Sequence, residues 1–229
     1  MRYLSLCAAT VGALAVCCLA PVYARPVNIS VGASTLGFGV QVATPIVPGT
    51  LDIALGINHF SYNRSGTYTK NNSAIPYNGT LRLQTIPVLL DYFPFHGVFR
   101  LTGGVMVNQN DFNLVANGGN GTYEIDGYQY TASGDSTFTE QVKWRRFAPY
   151  LGIGWGSKAA RHTGFSMGFD LGVLYTDSPA VTMSASGYVP AAGAPTLQTA
   201  VAAEQAKANQ SASSLRFWPM IGIRVGYDF

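Results

Sequence analysis

The stretch Asn58-His59-Phe60-Ser61-Tyr62-Asn63 is the strongest candidate for covalent chemistry in this chain. Side chains of a strand alternate, so His59 and Ser61 share a face, and an imidazole so placed can take the proton of a serine hydroxyl and leave a nucleophile. A third group must orient the base, and its carboxylate has to come from elsewhere; Glu124 and Glu140, in a later polar stretch, are the candidates. The plainer reading makes His59 and Ser61 polar residues at the end of an apolar strand, and the chain as a whole is read as no enzyme. His96 and His162 have no carboxylate at ligand spacing, so no metal site is expected. Strings such as Gly152-Ile153-Gly154 lie within strands and do not precede a helix, so no phosphate-binding loop and no cofactor is expected.

The elements that hold these residues have a period of two. In 163–176, Phe165, Met167, Phe169, Leu171, Val173 and Tyr175 alternate with Gly164, Ser166, Gly168, Asp170, Gly172 and Leu174. The same pattern recurs at 51–58, 98–109, 146–156 and 217–229. In 80–92 the phase slips, because Leu81 and Leu83 oppose Arg82 while Ile86, Val88, Leu90 and Tyr92 oppose Thr85 and Asp91; a β-bulge near Thr85 or Pro87 is expected. Residues 29–42 form either one long bulged strand or two short strands across a tight turn, and the even strand numbers of bacterial barrels favour two. Short connections (44–50, 94–97, 157–163) alternate with long polar ones (62–79, 110–143, 177–215), as in an antiparallel meander with three large loops on one side. The Ala-, Gln- and Lys-rich stretch from Leu197 to Ser213 reads as a helix in the last of them.

The faces opposite the bulky residues carry mainly Gly, Ala, Ser, Thr and Asn, with single charges at Asp52, Arg100, Arg146, Asp170, Arg224 and Asp228. A soluble β-sandwich or lipocalin-like barrel would need a charge-rich outer face, yet only 11% of the residues are Asp, Glu, Lys or Arg. The arrangement fits a closed barrel in hydrocarbon, with the charges paired across a narrow lumen, since an unpaired strand edge is not tolerated there. Aromatic residues at strand ends (Tyr62, Tyr68, Tyr92, Phe93, Phe95, Trp144, Trp218, Tyr227, Phe229) are expected to form interfacial girdles. The formal charge of +3 is spread thinly, with no basic run longer than Arg145-Arg146, which argues against a nucleic-acid partner.

Residues 1–24 have the form of a secretory signal, with one positive charge, the apolar run LSLCAATVGALAVCCLA and small residues before a cut near Ala24. Lipoprotein processing at Cys17 or Cys18 is the rival, and Val16 is larger than such a site prefers. All three cysteines lie in this leader, so the domain at 25–229 has neither disulfide nor thiolate site.

The segment FWPMIGIRVGYDF, with Ile221, Ile223, Val225 and Tyr227 alternating up to the aromatic Phe229, resembles the C-terminal signature of bacterial outer-membrane proteins. Phrases such as TLGFGVQVATPI, LDYFPFHGVFRLTGG and FDLGVLYTDSP resemble a group of small proteobacterial outer-membrane proteins without an assigned activity. The resemblance implies recognition of the last strand by the barrel-assembly machinery, and a monomer among outer-membrane lipid and lipopolysaccharide. His59-x-Ser61 is similar to the active-site strand of outer-membrane lipid A deacylases, which would imply an acyl hydrolase. The reading adopted is all-β: an eight-stranded antiparallel transmembrane meander barrel with a structural or surface-interaction role. Eight strands leave an interior just wide enough for side chains, so a narrow channel or hydrophobic small-molecule transport barrel is the alternative.

Overall fold

The computed structural model describes residues 26–70, 73–118, 121–156 and 163–229. The leader, its cleavage near Ala24 and His162 lie outside the described residues. The elements are β1 (Asn28–Ser34), β2 (Gly37–Val47), β3 (Leu51–Lys70), β4 (Ser73–Tyr92), β5 (Phe99–Asn108), β6 (Asp111–Gly118), β7 (Gly121–Ile125), β8 (Tyr128–Lys143), β9 (Phe147–Gly156), β10 (Gly164–Tyr175), β11 (Ala180–Pro190), α1 (Leu197–Ala212) and β12 (Phe217–Asp228).

Eight of the strands close a ring, in the order β1-β2-β3-β4-β5-β9-β10-β12 and back to β1, every pair antiparallel. The seam joins the two ends of the domain, Asn28 opposite Asp228, and Phe229 N–H donates to the Val27 carbonyl at 3.0 Å. Residues 29–42 are two strands. Their register runs Asn28↔Ala43 to Ser34↔Gly37, which leaves Thr35-Leu36 as a tight turn. Gly37 there has φ +106°, a left-handed conformation, and an added Cβ would lie 2.7 Å from the His59 carbonyl oxygen.

The alternation has the physical meaning read from it. Val31, Phe38, Val40, Leu55, Ile57, Leu151, Phe165, Met167, Ile223 and Val225 are exposed on the outside of the ring, whereas Asp52, Thr85, Arg100, Thr102, Asp170 and Asp228 are buried within it. Exposure of so continuous an apolar belt around an edgeless barrel suits hydrocarbon and not water. Near the end with the short turns, ring contacts link Phe95, Phe99, Trp155 and Phe169, at centroid distances of 6.0, 5.6 and 6.1 Å, and separately Phe165, Tyr227 and Phe229, at 5.5 and 4.9 Å. This girdle differs in membership from the expected one. Phe93 is buried, while Trp144 packs edge-on against inward-facing Trp218 at 5.9 Å.

Two expectations are corrected. First, β4 has no bulge near Thr85 or Pro87: its pairing with β5 runs Thr85↔Asn108 to Tyr92↔Leu101, and its pairing with β6 continues the same register at Arg82↔Asp111. Leu83 instead faces inward and is 5% exposed, because the inner face turns apolar where the strand rises past the ring. Second, the long connections are not loops. β3 and β4 run on as one hairpin, Lys70 opposite Ser73; β6 pairs with the upper half of β4, β8 with β6, and β7 and β11 with β8.

The outermost strand, β11, has one edge unpaired by any strand, and α1 covers it. The Asn209 amide accepts from Val181 N–H at 2.9 Å and donates to the Val181 carbonyl at 2.9 Å, and Gln205 Oε1 accepts from Met183 N–H at 2.8 Å. Four residues of helix rise about 6 Å, close to the 6.6–6.8 Å spanned by two residues of strand, so the two amides act as a surrogate strand. Leu197, Ala200 and Val201 complete the dock against Ile125 and Tyr130. Exchanging both Gln205 and Asn209 for Ala should release three backbone bonds, each worth about 1 kcal/mol. Limited proteolysis should then cut at α1 and β11 while the ring stays folded, since neither element belongs to it.

Candidate functional site

The inward faces of the ring strands carry small residues because a few large ones need the room. Cβ atoms added at Gly152 and Gly172 would lie 2.4 and 2.3 Å from the Tyr150 hydroxyl, and one at Gly154 would lie 2.7 Å from Arg100 Nε. Glycine on β9 and β10 is thus the space filled by the Tyr150 ring and the Arg100 guanidinium.

On the side of the short turns, charge fills the bore. Arg100 on β5 is paired with Asp170 on β10 and lies 3.6 Å from the Asp91 carboxylate on β4. Arg224 on β12 reaches the other oxygen of Asp170 at 2.8 Å and also donates to Gln41 on β2. Thr102 donates to Asp91 at 2.5 Å. Below this, Asn28 on β1 donates to Asp228 at 2.8 Å and to Ser166 at 3.0 Å. Direct bonds from these side chains therefore tie together β1, β2, β4, β5, β10 and β12.

On the other side the filling is mainly apolar, with a polar row beyond it in which Asn58 donates to Thr85 at 3.0 Å. Leu36, from the β1–β2 turn, folds inward to meet Ala54, Leu89, Met106, Ala148, Tyr150 and Leu174, with Trp218 and Met220 against them. Between and beside the two fillings, cavities of about 40 and 30 Å³ remain; both are bordered by Ser30, Gln41 and Arg224. Each has room for a few waters at most.

Of the charges assigned to the lumen from sequence, Arg100, Asp170 and Arg224 meet in one cluster, and Asp52 borders the cavity beside them. Asp228 joins the bonds at the seam. Arg146 does not belong: it lies outside the strands, exposed, just before β9. The pattern of β9 begins one residue later, so its alternation does not reach Arg146. Asp91 and Gln41 were missed. The alternation of Ile86, Val88, Leu90 and Tyr92 already puts Asp91 on the inner face, whereas a neutral Gln41 carries no sequence signal of its own.

His59 and Ser61 both project outward and exposed from β3, with Gln84 and Arg82 of β4 opposite them. Neither proposed acid comes near. Glu140 lies on β8, three strands from β3 and roughly 14 Å away at ordinary strand spacing, paired with Leu114 and Met183. Burial holds its carboxyl above the usual range, which also suits it poorly to stabilise a cation. Glu124 lies further out, on β7. No triad forms among the described residues, and none of their His, Cys, Asp and Glu groups form a metal-binding cluster.

No family model matches the chain, and no curated protein is similar to it in sequence. Solved structures that resemble it in fold include the following two. CarO2 of Acinetobacter baumannii is 18% identical, with a TM-score of 0.58 over 90% of this chain and 99% of that one. CarO of Acinetobacter baumannii is 21% identical, with a TM-score of 0.55 over 89% and 98%. The fold is that of an eight-stranded outer-membrane β-barrel.

Proposed function

We propose that this chain is an integral protein of the bacterial outer membrane that acts by contact, through the sheet and helix on its loop side, around a barrel that conducts nothing. The filled bore carries this reading: the Arg224 side chain spans from Gln41 to Asp170, and a packed apolar cluster sits beyond it. A general pore needs a continuous wet path, and ion-paired guanidiniums held against glycine walls argue against one. Outer-membrane lipid and lipopolysaccharide surround the belt in this reading. The barrel-assembly machinery takes up the last strand, whose Ile221, Ile223, Val225 and Phe229 are exposed outward. His59, between Phe38 and Gln84, and Ser61, opposite Arg82, lie on the outer face at the rim of the belt, which favours an interfacial role for both, not an acyl hydrolase.

The test is conductance in planar bilayers. The purified barrel should insert without unitary current steps at neutral pH. Reproducible steps from the wild-type protein would replace this reading with the narrow channel.

A further inference from the structure

The wall of the barrel is interrupted at one place on the loop side. β5 pairs with β9 as far as Val107↔Phe147, and β6 pairs with β8 from Asp111↔Lys143, in one continuous register. Between them lie residues 108–110 and 144–146, joined by a single backbone bond, Asn108 N–H to the Arg146 carbonyl at 2.6 Å. The two long strands part here without losing step.

Two buried amides line this gap. Asn108 and Asn110 are each 2% exposed. Their oxygens are committed, since Gln84 N–H donates to Asn110 Oδ1 at 2.8 Å and Asn110 N–H donates to Asn108 Oδ1 at 3.0 Å. This fixes which end of each amide is nitrogen, and both Nδ2 groups are left with no acceptor. A buried donor without a partner loses its hydration with nothing in return and calls for an explanation. The gap opens as a cavity of about 640 Å³ lined by both amides together with Arg82, Lys143 and Arg146, against one carboxylate, Asp111. None of these three cations makes an ion pair among the described residues, whereas Arg145 is paired with Asp177 at 3.3 Å.

The position selects the ligand. Val107 and Phe147 are the last outward apolar residues of their strands, and Arg82 is exposed on the outside of β4 two rows beyond Ile86. The cations therefore stand where acyl chains give way to headgroups. From this placement we infer that the gap binds the phosphate of an anionic lipid headgroup, with Arg82, Lys143 and Arg146 supplying charge and the Asn108 and Asn110 amides supplying donors. The inference rests on the membrane reading above and gives the surrounding lipid a specific seat.

The test is native mass spectrometry of the folded barrel, released from detergent after incubation with diphosphoryl lipid A, its dephosphorylated form, or inorganic phosphate. One diphosphoryl lipid should be retained, and the dephosphorylated form should not. Arg82→Gln combined with Arg146→Gln should weaken retention on the order of thirtyfold, about fivefold for each cation near the surface. Asn110→Asp keeps the oxygen that Gln84 N–H needs but puts a carboxylate where the donor was, and it should abolish retention even if the double variant folds poorly. Equal retention by wild type and Asn110→Asp, or indifference to the lipid's phosphates, overturns the assignment. Saturation by inorganic phosphate with no gain from the lipid overturns the lipid source. A barrel that stays folded without detergent would instead overturn the membrane reading itself, and gel mobility reports that separately.

Discussion

Asp170→Ala should lower the stability of the barrel by about 3–5 kcal/mol, the largest effect expected of any single lumen substitution. Asp170 accepts from both Arg100 and Arg224, whose side chains are 2% and 20% exposed. Removing it takes away the carboxylate that bridges the two guanidiniums, leaving Arg100 with only the longer contact to Asp91 and Arg224 with only neutral Gln41. The loss should appear as a lower urea midpoint for refolding into lipid vesicles, followed by gel mobility. Arg145→Ala is the natural control. Its pair with Asp177 is also a carboxylate–guanidinium contact, but at 58% and 44% exposure it should be worth less than about 1 kcal/mol. Similar losses for the two variants would mean that the lumen cluster is well hydrated, and with it the closed bore would go.

Leu151→Arg should cost about 2–4 kcal/mol in a bilayer, the value expected of a guanidinium near the midplane of a barrel's lipid face. Leu151 is 72% exposed, sits at the middle of β9, and has Gly103 and Val173 beside it on the neighbouring strands. A leucine so exposed on a soluble protein would accept arginine almost without cost, so the two environments predict opposite outcomes. Ser61→Arg supplies the reference. It lies on the same outer face, beyond Ile57 and opposite Arg82, and should cost no more than about 1 kcal/mol. Equal tolerance at both positions would remove hydrocarbon from the account of the belt.

The candidate site was legible in part, and the reason is local. Arg100, Asp170 and Arg224 interrupt otherwise apolar or glycine-rich alternation, so their common face can be counted off in steps of two. Arg146 was misassigned because the count was carried one residue past the start of β9. The gap between β5 and β6 was invisible, because a cavity made by two strands parting depends on which strand lies beside which, and Asn108-Gln109-Asn110 reads in isolation as an ordinary polar connection.

The sequence by itself determined which residues of the ring strands meet lipid and which meet the lumen, since a strand between two unlike media must change character at every residue. It left the ring at seven or eight strands, with the even numbers of bacterial barrels favouring eight, and the pairing of β1 with β2 decided the count. Only the tertiary structure decided what lies beyond the ring. In the proposed placement β6, β8 and β11 lie outside hydrocarbon, so the lipid-facing alternation that marks the ring strands is absent from them. Their pairing follows from the unbroken register of β4, and the outer edge is closed by α1, reached across more than twenty residues of chain.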